Sequence, residues 1–375
     1  MKKVLIIIGT RPEAIKMAPV IKALRERPDQ FETVVCATAQ HRDMLDQVLK
    51  IFQIIPDIDL NLMKPNQDLA SLTSRVIVEI SQVLNRIRPD ILLIQGDTTT
   101  VMAAGIASFY LKIPVGHVEA GLRTSNLYSP FPEEMNRRMV SIIAAYHFTP
   151  TERARRALLS EGHQESTIHV TGNTVIDALH WVARKPEPAL AKEIFSKADL
   201  DDGKKMILVT AHRREHFGPA FEGICTALKR LAERNPDISV VYLVHMNPNV
   251  REPAFRILGQ AKGVYLYDPV GYDSMVHLMK KSFLILTDSG GIQEEAPALG
   301  KPILVMRDET ERPEAVEAGV SRIVGTRAES IISASELLLR NREEYTRMAM
   351  SINPYGDGTA SLKILEILRK ESGSR

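Results

Sequence analysis

Short, unbroken apolar runs alternating with helical patterns constrain this chain more than any other feature. Val4–Ile8, Thr33–Thr38, Ile91–Ile94, Val115–Val118 and Tyr146–Phe148 read as strands in the first half. Met206–Val209, Val240–Val244, Val264–Leu266, Phe283–Leu286, Ile303–Met306 and Arg322–Val324 read as strands in the second. A strand that is apolar at successive positions is buried on both faces, as in a parallel sheet covered by helices. The intervening patterns are helical. Pro12–Leu24 starts with Thr10 and Glu13 in capping-box spacing and Pro12 in the first turn. Met44–Phe52 reads as a helix, and Leu69, Leu72, Val76, Ile80, Val83 and Ile87 recur at steps of three and four along one face of a long one. Further helices are predicted over Thr98–Tyr110, from near Pro132, and from Thr151. With 375 residues the chain exceeds one core and suits two domains. The expected fold is therefore α/β, two Rossmann-like doubly wound parallel-sheet domains with an interdomain cleft. Lys185-Pro186-Glu187-Pro188 and the charged run around Asp201-Asp202-Gly203-Lys204-Lys205 read as the interdomain region. No fixed-period repeat is visible, so the halves share architecture only. A last helix, Ala360–Lys370, follows the turn-rich Asn353–Gly358.

Composition narrows the function classes. The 48 basic and 46 acidic residues leave a net charge of +2, so there is no global case for nucleic-acid binding. Cys36 and Cys225 each lie in an apolar segment and read as buried thiols in a reducing compartment, without C-x-x-C or metal-ligand spacing. The N-terminal apolar run is too short for a signal segment, and no apolar stretch reaches membrane-spanning length. A cytoplasmic protein without a membrane partner is expected.

Ligands of open α/β sheets bind beyond the carboxyl ends of the strands, so residues there carry the functional argument. The run Phe283–Leu286 ends in Thr287-Asp288-Ser289-Gly290-Gly291, followed by a helical pattern to Leu299 that Gly300 and Pro302 close. Small residues let backbone N–H groups approach a ligand, and the helix start adds a positive dipole end, which suits phosphate. Glu295, about one turn on, can accept from ribose hydroxyls. A plain connection with Ser289 as N-cap accounts for the same residues. Gly9–Lys16 forms a second such point, with Arg11 and Lys16 adding positive charge. Asp97 closes the strand at Ile91–Ile94, although Asp is also a favoured N-cap. Glu119 closes Val115–Val118 with no capping duty. Glu133 and Glu134 stand in the first turn of a helix, where the dipole favours anions. His212 follows Met206–Val209. Its spacing to Glu215 and His216 matches H-x-x-E-H, but that metal signature needs both histidines on one helix face, and here it sits at a strand end. Three carboxylates and a histidine at four strand ends are equipment for proton transfer beside a bound nucleotide. Arg312, after another strand, can orient a carboxylate or a phosphate. No G-x-G-x-x-G follows the first strand, which argues against a nicotinamide cofactor, and no Walker lysine motif is present.

These residues carry a resemblance. Gly9–Pro19, Ala39-Gln40-His41-Arg42, Gln95–Thr99, His117–Thr124, Pro132-Glu133-Glu134 with Asn136-Arg137, Thr171–Asp177, His212-Arg213-Arg214-Glu215 and Asp288–Glu295 occur in order. The chain resembles the non-hydrolysing bacterial UDP-N-acetylglucosamine 2-epimerases over nearly its whole length. The resemblance implies a GT-B-like fold, with a first domain of 1–172 plus the C-terminal helix in 359–375, and a nucleotide-binding domain of 173–358. It implies reversible inversion at C2 to UDP-N-acetylmannosamine, by elimination of UDP through a 2-acetamidoglucal, supplying sugar for cell-surface polysaccharide. It implies no NAD, no metal and a homodimer. Carried over by motif, Asp97, Glu119, Glu133 and His212 are the catalytic residues. Arg11, Lys16, Arg137, Ser289, Gly290, Gly291, Glu295 and Arg312 are substrate-binding, with Val270 and Met275 bounding a loop at the uracil. Gln40, His41, Arg213 and His245 match an allosteric UDP-N-acetylglucosamine site. A GT-B glycosyltransferase, a hydrolysing 2-epimerase and a non-catalytic UDP-sugar sensor are the alternatives.

Overall fold

The computed structural model describes residues 1–38, 42–62, 68–124, 126–200 and 203–370. They form two compact units, Met1–Ala178 with Tyr355–Arg375, and Leu179–Pro354.

The first unit contains β1 (Lys2–Ile8), β2 (Phe31–Ala37), β3 (Ile58–Asp59), β4 (Ile91–Gln95), β5 (Val115–Val118), β6 (Tyr146–Thr149) and β7 (Ile168–Val170). They pair in parallel in the order β3-β2-β1-β4-β5-β6-β7. Leu5, Ile7, Leu92 and Ile94 pack against Val76, Ile80, Val83 and Leu84 of the helix Leu69–Ile87. Val76, Ile80 and Val83 belong to the face that the three-four spacing predicts, Leu84 joins them, and Leu69 at the start of the stripe is exposed; Asp68 caps the helix by accepting from Ser71 N at 2.8 Å. The helix Arg11–Arg25 has its complete capping box, Thr10 with Glu13. Gly121 has φ +88, and a Cβ there would collide with the carbonyl of Ala154, so the chain after β5 passes the helix Glu152–Ser160 only as glycine.

The second unit contains β8 (Lys205–Thr210), β9 (Ile238–Leu243), β10 (Val264–Tyr267), β11 (Leu284–Thr287), β12 (Ile303–Val305) and β13 (Ser321–Ile323). Its parallel order is β10-β9-β8-β11-β12-β13. Each sheet thus reverses winding once, between β1 and β4 and between β8 and β11. Those are the points where an open α/β sheet leaves room for a ligand at its carboxyl edge.

Three local expectations differ from the structure. The short edge strands β3 and β7 were not expected; they have two and three residues, too few for an apolar run to stand out. The helix after β11 is α-helical only over Gly290–Glu295 and continues as a 3-10 turn, Ala296–Leu299. Pro297 has no N–H to continue the α-helical ladder. The Pro-rich stretch after Trp181 is not a linker. Its prolines lead into the helix Ala189–Lys197, whose Ala191, Ile194 and Phe195 are buried, and the division between units falls inside the helix Thr174–Ala183. Both cysteines are free and buried, and burial pushes each thiol up to about 12. Among the described residues no helix is long and apolar enough to cross a membrane.

Candidate functional site

In the first unit the site is built on the turns after β1, β4 and β5. Glu13, 2% exposed, accepts from Gly9 N at 2.6 Å and Thr10 N at 3.2 Å, and from the Thr98 hydroxyl at 2.8 Å. It ties the β1 turn to the β4 turn; burial raises its pKa, against those hydrogen bonds. Arg11, the first helical residue beside it, is half-buried and makes no hydrogen bond or ion pair among the described residues.

Asp97 lies between Gly96, at φ +84, and Thr98. Thr98 is the N-cap of the following helix, its hydroxyl accepting from Val101 N at 3.3 Å, so Asp97 has no capping duty. Its Oδ2 accepts from Arg137 Nη2 at 2.6 Å and Nε at 3.1 Å, and its carbonyl accepts from Asn136 Nδ2 at 2.9 Å. The helix Glu133–Ile143 supplies both donors. Its first two residues differ. Glu134 is fully buried, accepting from Thr124 N, Arg137 and Arg138 at 3.1, 3.1 and 2.8 Å. Glu133 is half-buried and makes no hydrogen bond or ion pair among the described residues.

Glu119 stands immediately after β5 at φ +64, a left-handed conformation uncommon outside glycine. Such strain of about 1–2 kcal/mol persists where the surroundings over-determine it, often at functional sites. Lys16 Nζ lies 2.5 Å from its Oε1, Asn173 Nδ2 lies 3.4 Å from the same atom, and Gln95 Nε2 donates to Oε2. Gln95 and Asn173 were not among the expected site residues. Both lie inside the motifs that carry the resemblance, but an amide shows no charge or cap signal that marks it for chemistry. Next to them His117 is wholly buried and donates from Nε2 to Gly96 O at 2.7 Å; burial drives its pKa down to about 3, so it is neutral.

In the second unit the site is built at the carboxyl ends of β8, β10 and β11. Thr210 and Thr287, opposite each other in the sheet, join through their hydroxyls at 2.7 Å. Asp288, fully buried, accepts at Oδ2 from His212 N at 2.7 Å and Arg213 N at 2.8 Å, so it shapes the turn after β8. His212 Nδ1 stands 3.2 Å from its Oδ1, and His216 Nδ1 3.6 Å from its Oδ2. Burial raises the Asp288 pKa, but His216, the charge of His212 and the two N–H groups outweigh it, and the net shift is downward. His212 is shifted down, chiefly by burial, with Asp288 opposing and His245 and Arg213 adding. Its ring stacks on His245 at 5.4 Å, and Asn247 N donates to His245 Nδ1 at 3.1 Å. Arg214–His216 form a 3-10 turn, so His212 and His216 do not share an α-helical face, and no metal-holding cluster occurs among the described residues.

Ser289 occupies the N-cap position before Gly290, yet its side chain makes no capping hydrogen bond. A Cβ on Gly290 would stand 3.9 Å from the Arg312 guanidinium and 4.0 Å from Arg213 Nη2. One on Gly291 would stand 3.9 Å from the Glu295 carboxylate and 4.0 Å from Ser289 Oγ. The two glycines therefore lie open among two guanidinium groups, a hydroxyl and a carboxylate. The buried Glu294 accepts from Arg312 Nε and aims it. Val270 and Met275 are half-buried where the loop after β10 enters the helix Tyr272–Lys281, and Met275 N donates to Gly271 O at 2.9 Å. Gln40 and His41 lie outside the described residues. Each unit thus gathers its own set: Arg11, Lys16, Asp97, Glu119, Glu133 and Arg137 in the first, and His212, Arg213, His245, Ser289, Gly290, Gly291, Glu295 and Arg312 in the second.

A family profile described as UDP-N-acetylglucosamine 2-epimerase matches residues 22–369. The chain is 56% identical over 370 residues to the UDP-N-acetylglucosamine 2-epimerase of Escherichia coli (strain K12), covering 98% of each chain. It is similar to a solved UDP-GlcNAc 2-epimerase from Neisseria meningitidis bound to UDP-GlcNAc, with a TM-score of 0.87, 51% identity and coverage of 98% of this chain and 100% of that one. It is also similar to the S. aureus MnaA–UDP co-structure, with a TM-score of 0.86, 46% identity and coverage of 100% and 97%.

Proposed function

The chain belongs to the UDP-N-acetylglucosamine 2-epimerase family, and we propose that it inverts C2 by eliminating UDP and adding it back. As an isomerase of that family it interconverts UDP-N-acetylglucosamine and UDP-N-acetylmannosamine. C2 carries no adjacent carbonyl, so its proton is not acidic enough for ready removal at neutral pH, and cleavage of the C1–O bond must assist. A carboxylate takes the C2 proton, the C–H pair becomes the C1=C2 bond, and the C1–O pair departs on the β-phosphate oxygen. UDP and 2-acetamidoglucal result. In return that oxygen bonds C1, and a proton reaches C2 from the other face.

The observation that supports this most is the pairing of Asp97 and Glu119. Neither caps a helix, each is held at a strand end by a cation, and Glu119 is held in a left-handed conformation. Glu133, without a partner among the described residues, and His212 complete the acid-base set. The Ser289-Gly290-Gly291 turn with Arg312 and Arg11 would stabilise UDP as it leaves, Glu295 would take the ribose, and the 270–275 loop the uracil. Arg213 and His245 would serve the allosteric UDP-N-acetylglucosamine that the resemblance implies. The product would supply cell-surface polysaccharide synthesis. A homodimer fits Met135, Met139 and Ile142, which lie exposed along one face of the helix Glu133–Ile143; Met139→Glu should then lower the mass in light scattering.

The test is incubation with UDP-N-acetylglucosamine in D₂O, followed by NMR at the anomeric and C2 positions. The expected product is UDP-N-acetylmannosamine carrying deuterium at C2, with little net UDP. Product without deuterium sinks the elimination. Stoichiometric UDP indicates hydrolysis, and no change without an acceptor indicates a transferase or a sensor.

A further inference from the structure

Arg137 is expected, from motif position, to bind substrate, yet each of its three nitrogens already donates to a carboxylate. Its Nε and Nη2 donate to Asp97 Oδ2 at 3.1 and 2.6 Å, and Nη1 donates to Glu134 Oε2 at 3.1 Å. Its side chain is 11% exposed. Glu134 cannot touch substrate, being fully buried, and its two oxygens take Thr124 N, Arg137 and Arg138. Around them Arg123 and Arg138 close on Glu161 at 2.7 and 3.3 Å. Three arginines therefore balance three carboxylates, and the member that stands after β4 is Asp97, 27% exposed. Both contacts from Arg137 fall on Oδ2. Oδ1 accepts no hydrogen bond among the described residues.

We propose that Glu134 and Arg137 are positioning residues for Asp97: buried Glu134 holds Arg137, Arg137 holds Oδ2, and Oδ1 is left as the atom that exchanges the C2 proton. This rests on the reading of Asp97 as a proton-transfer group. A guanidinium anchored on one side swings, whereas one anchored on both sides presents a fixed fork. The carboxylate is then held at one orientation before substrate arrives. Proton transfer is sensitive to such placement, and a displacement of about 1 Å costs on the order of 10²-fold. Glu134→Gln keeps the volume but removes the charge and turns an amide N–H₂ toward a donor on one side, so the anchor of Arg137 is weakened.

The experiment compares Glu134→Gln, Arg137→Lys and Asp97→Asn in kcat, KM, UDP affinity and the C2 deuterium isotope effect on kcat. Glu134→Gln is expected to lower kcat by about 10²-fold and enlarge the isotope effect, with KM and UDP affinity within about twofold. Arg137→Lys, which keeps the charge but loses the fork, is expected to show the same pattern, and it decides the matter if Glu134→Gln does not fold. A raised KM with kcat retained would mean that Arg137 binds substrate and overturns the proposal. A lowered kcat with an unchanged isotope effect would mean a structural role only, and overturns it too. Epimerisation at the wild-type rate by Asp97→Asn would instead remove the reading underneath.

Discussion

At the scale of single residues, burial decides which side chains are available for chemistry. Glu133 and Glu134 are neighbours of one type, and the sequence offers the same helix-start argument for both. Only the phase of the helix against the sheet separates them, burying one among arginines and leaving the other half-open. Glu119 was legible because a carboxylate at the end of an apolar strand has few structural uses, and Asp97 only as a strand-end carboxylate that a helix N-cap would equally explain, until the structure gives that cap to Thr98. Their holders Gln95, Asn173 and Glu134 were not, since their roles exist only once three strand ends meet. His117 makes a measurable case of burial. Its folded pKa of about 3 lies far below the ordinary histidine value, so the unfolded chain binds a proton near pH 6.5 that the folded chain refuses until near pH 3. Stability is therefore lost as pH falls below about 6.5, by about 2 kcal/mol between pH 7 and pH 5 from this residue alone. His117→Gln keeps a donor for Gly96 O and does not titrate. Denaturant unfolding at the two pH values should show its stability deficit against the native chain shrinking by about that amount on acidification. Parallel pH dependences would mean that His117 charges in the folded state.

At the scale of elements, most of the fold was legible because a strand buried on both faces leaves an apolar run and a helix packed on one face leaves a three-four stripe. The pattern is weaker where elements are short, as at β3 and β7, or where Pro punctuates the approach to a helix, as before Ala189–Lys197. The helix Ala360–Lys370 was read with its bounds, but not what starts it. Asp177 receives Ala360 N at 3.2 Å and Ser361 N at 2.8 Å, together with the Ser361 hydroxyl at 2.6 Å. A carboxylate 183 residues earlier thus does the work of an N-cap, which no local capping pattern reveals. Asp177→Ala orphans these donors at a buried site and should cost about 1–3 kcal/mol. Amide exchange over 360–370 should quicken while UDP affinity stays unchanged. Unaltered exchange there would mean that packing of Ile364, Leu365 and Leu368 alone holds the helix.

At the scale of the whole molecule, the two units divide both the chain and the candidate site residues. Unit 1 closes with segments from both chain ends, whereas unit 2 is one continuous stretch. The core of unit 2 is its own: Ile207, Val209, Phe221, Leu228, Tyr242 and Leu286 are buried together. Unit 2 also carries the glycine turn with both flanking arginines, and lacks Asp97, Glu119 and Glu133. A segment 174–354, begun early enough to keep the helix Thr174–Ala183 whole, should therefore fold alone and bind UDP without epimerising anything. At a UDP concentration 100 times its Kd, binding adds about 2.7 kcal/mol to stability, or roughly 5–10 °C in Tm for a domain of this size. Gly290→Val, which thrusts a branched side chain between the Arg312 and Arg213 guanidinium groups, should abolish that rise with little effect on Tm in the absence of UDP. A folded segment whose Tm ignores UDP would remove the nucleotide from this turn, and a rise that survives Gly290→Val would move it elsewhere in unit 2.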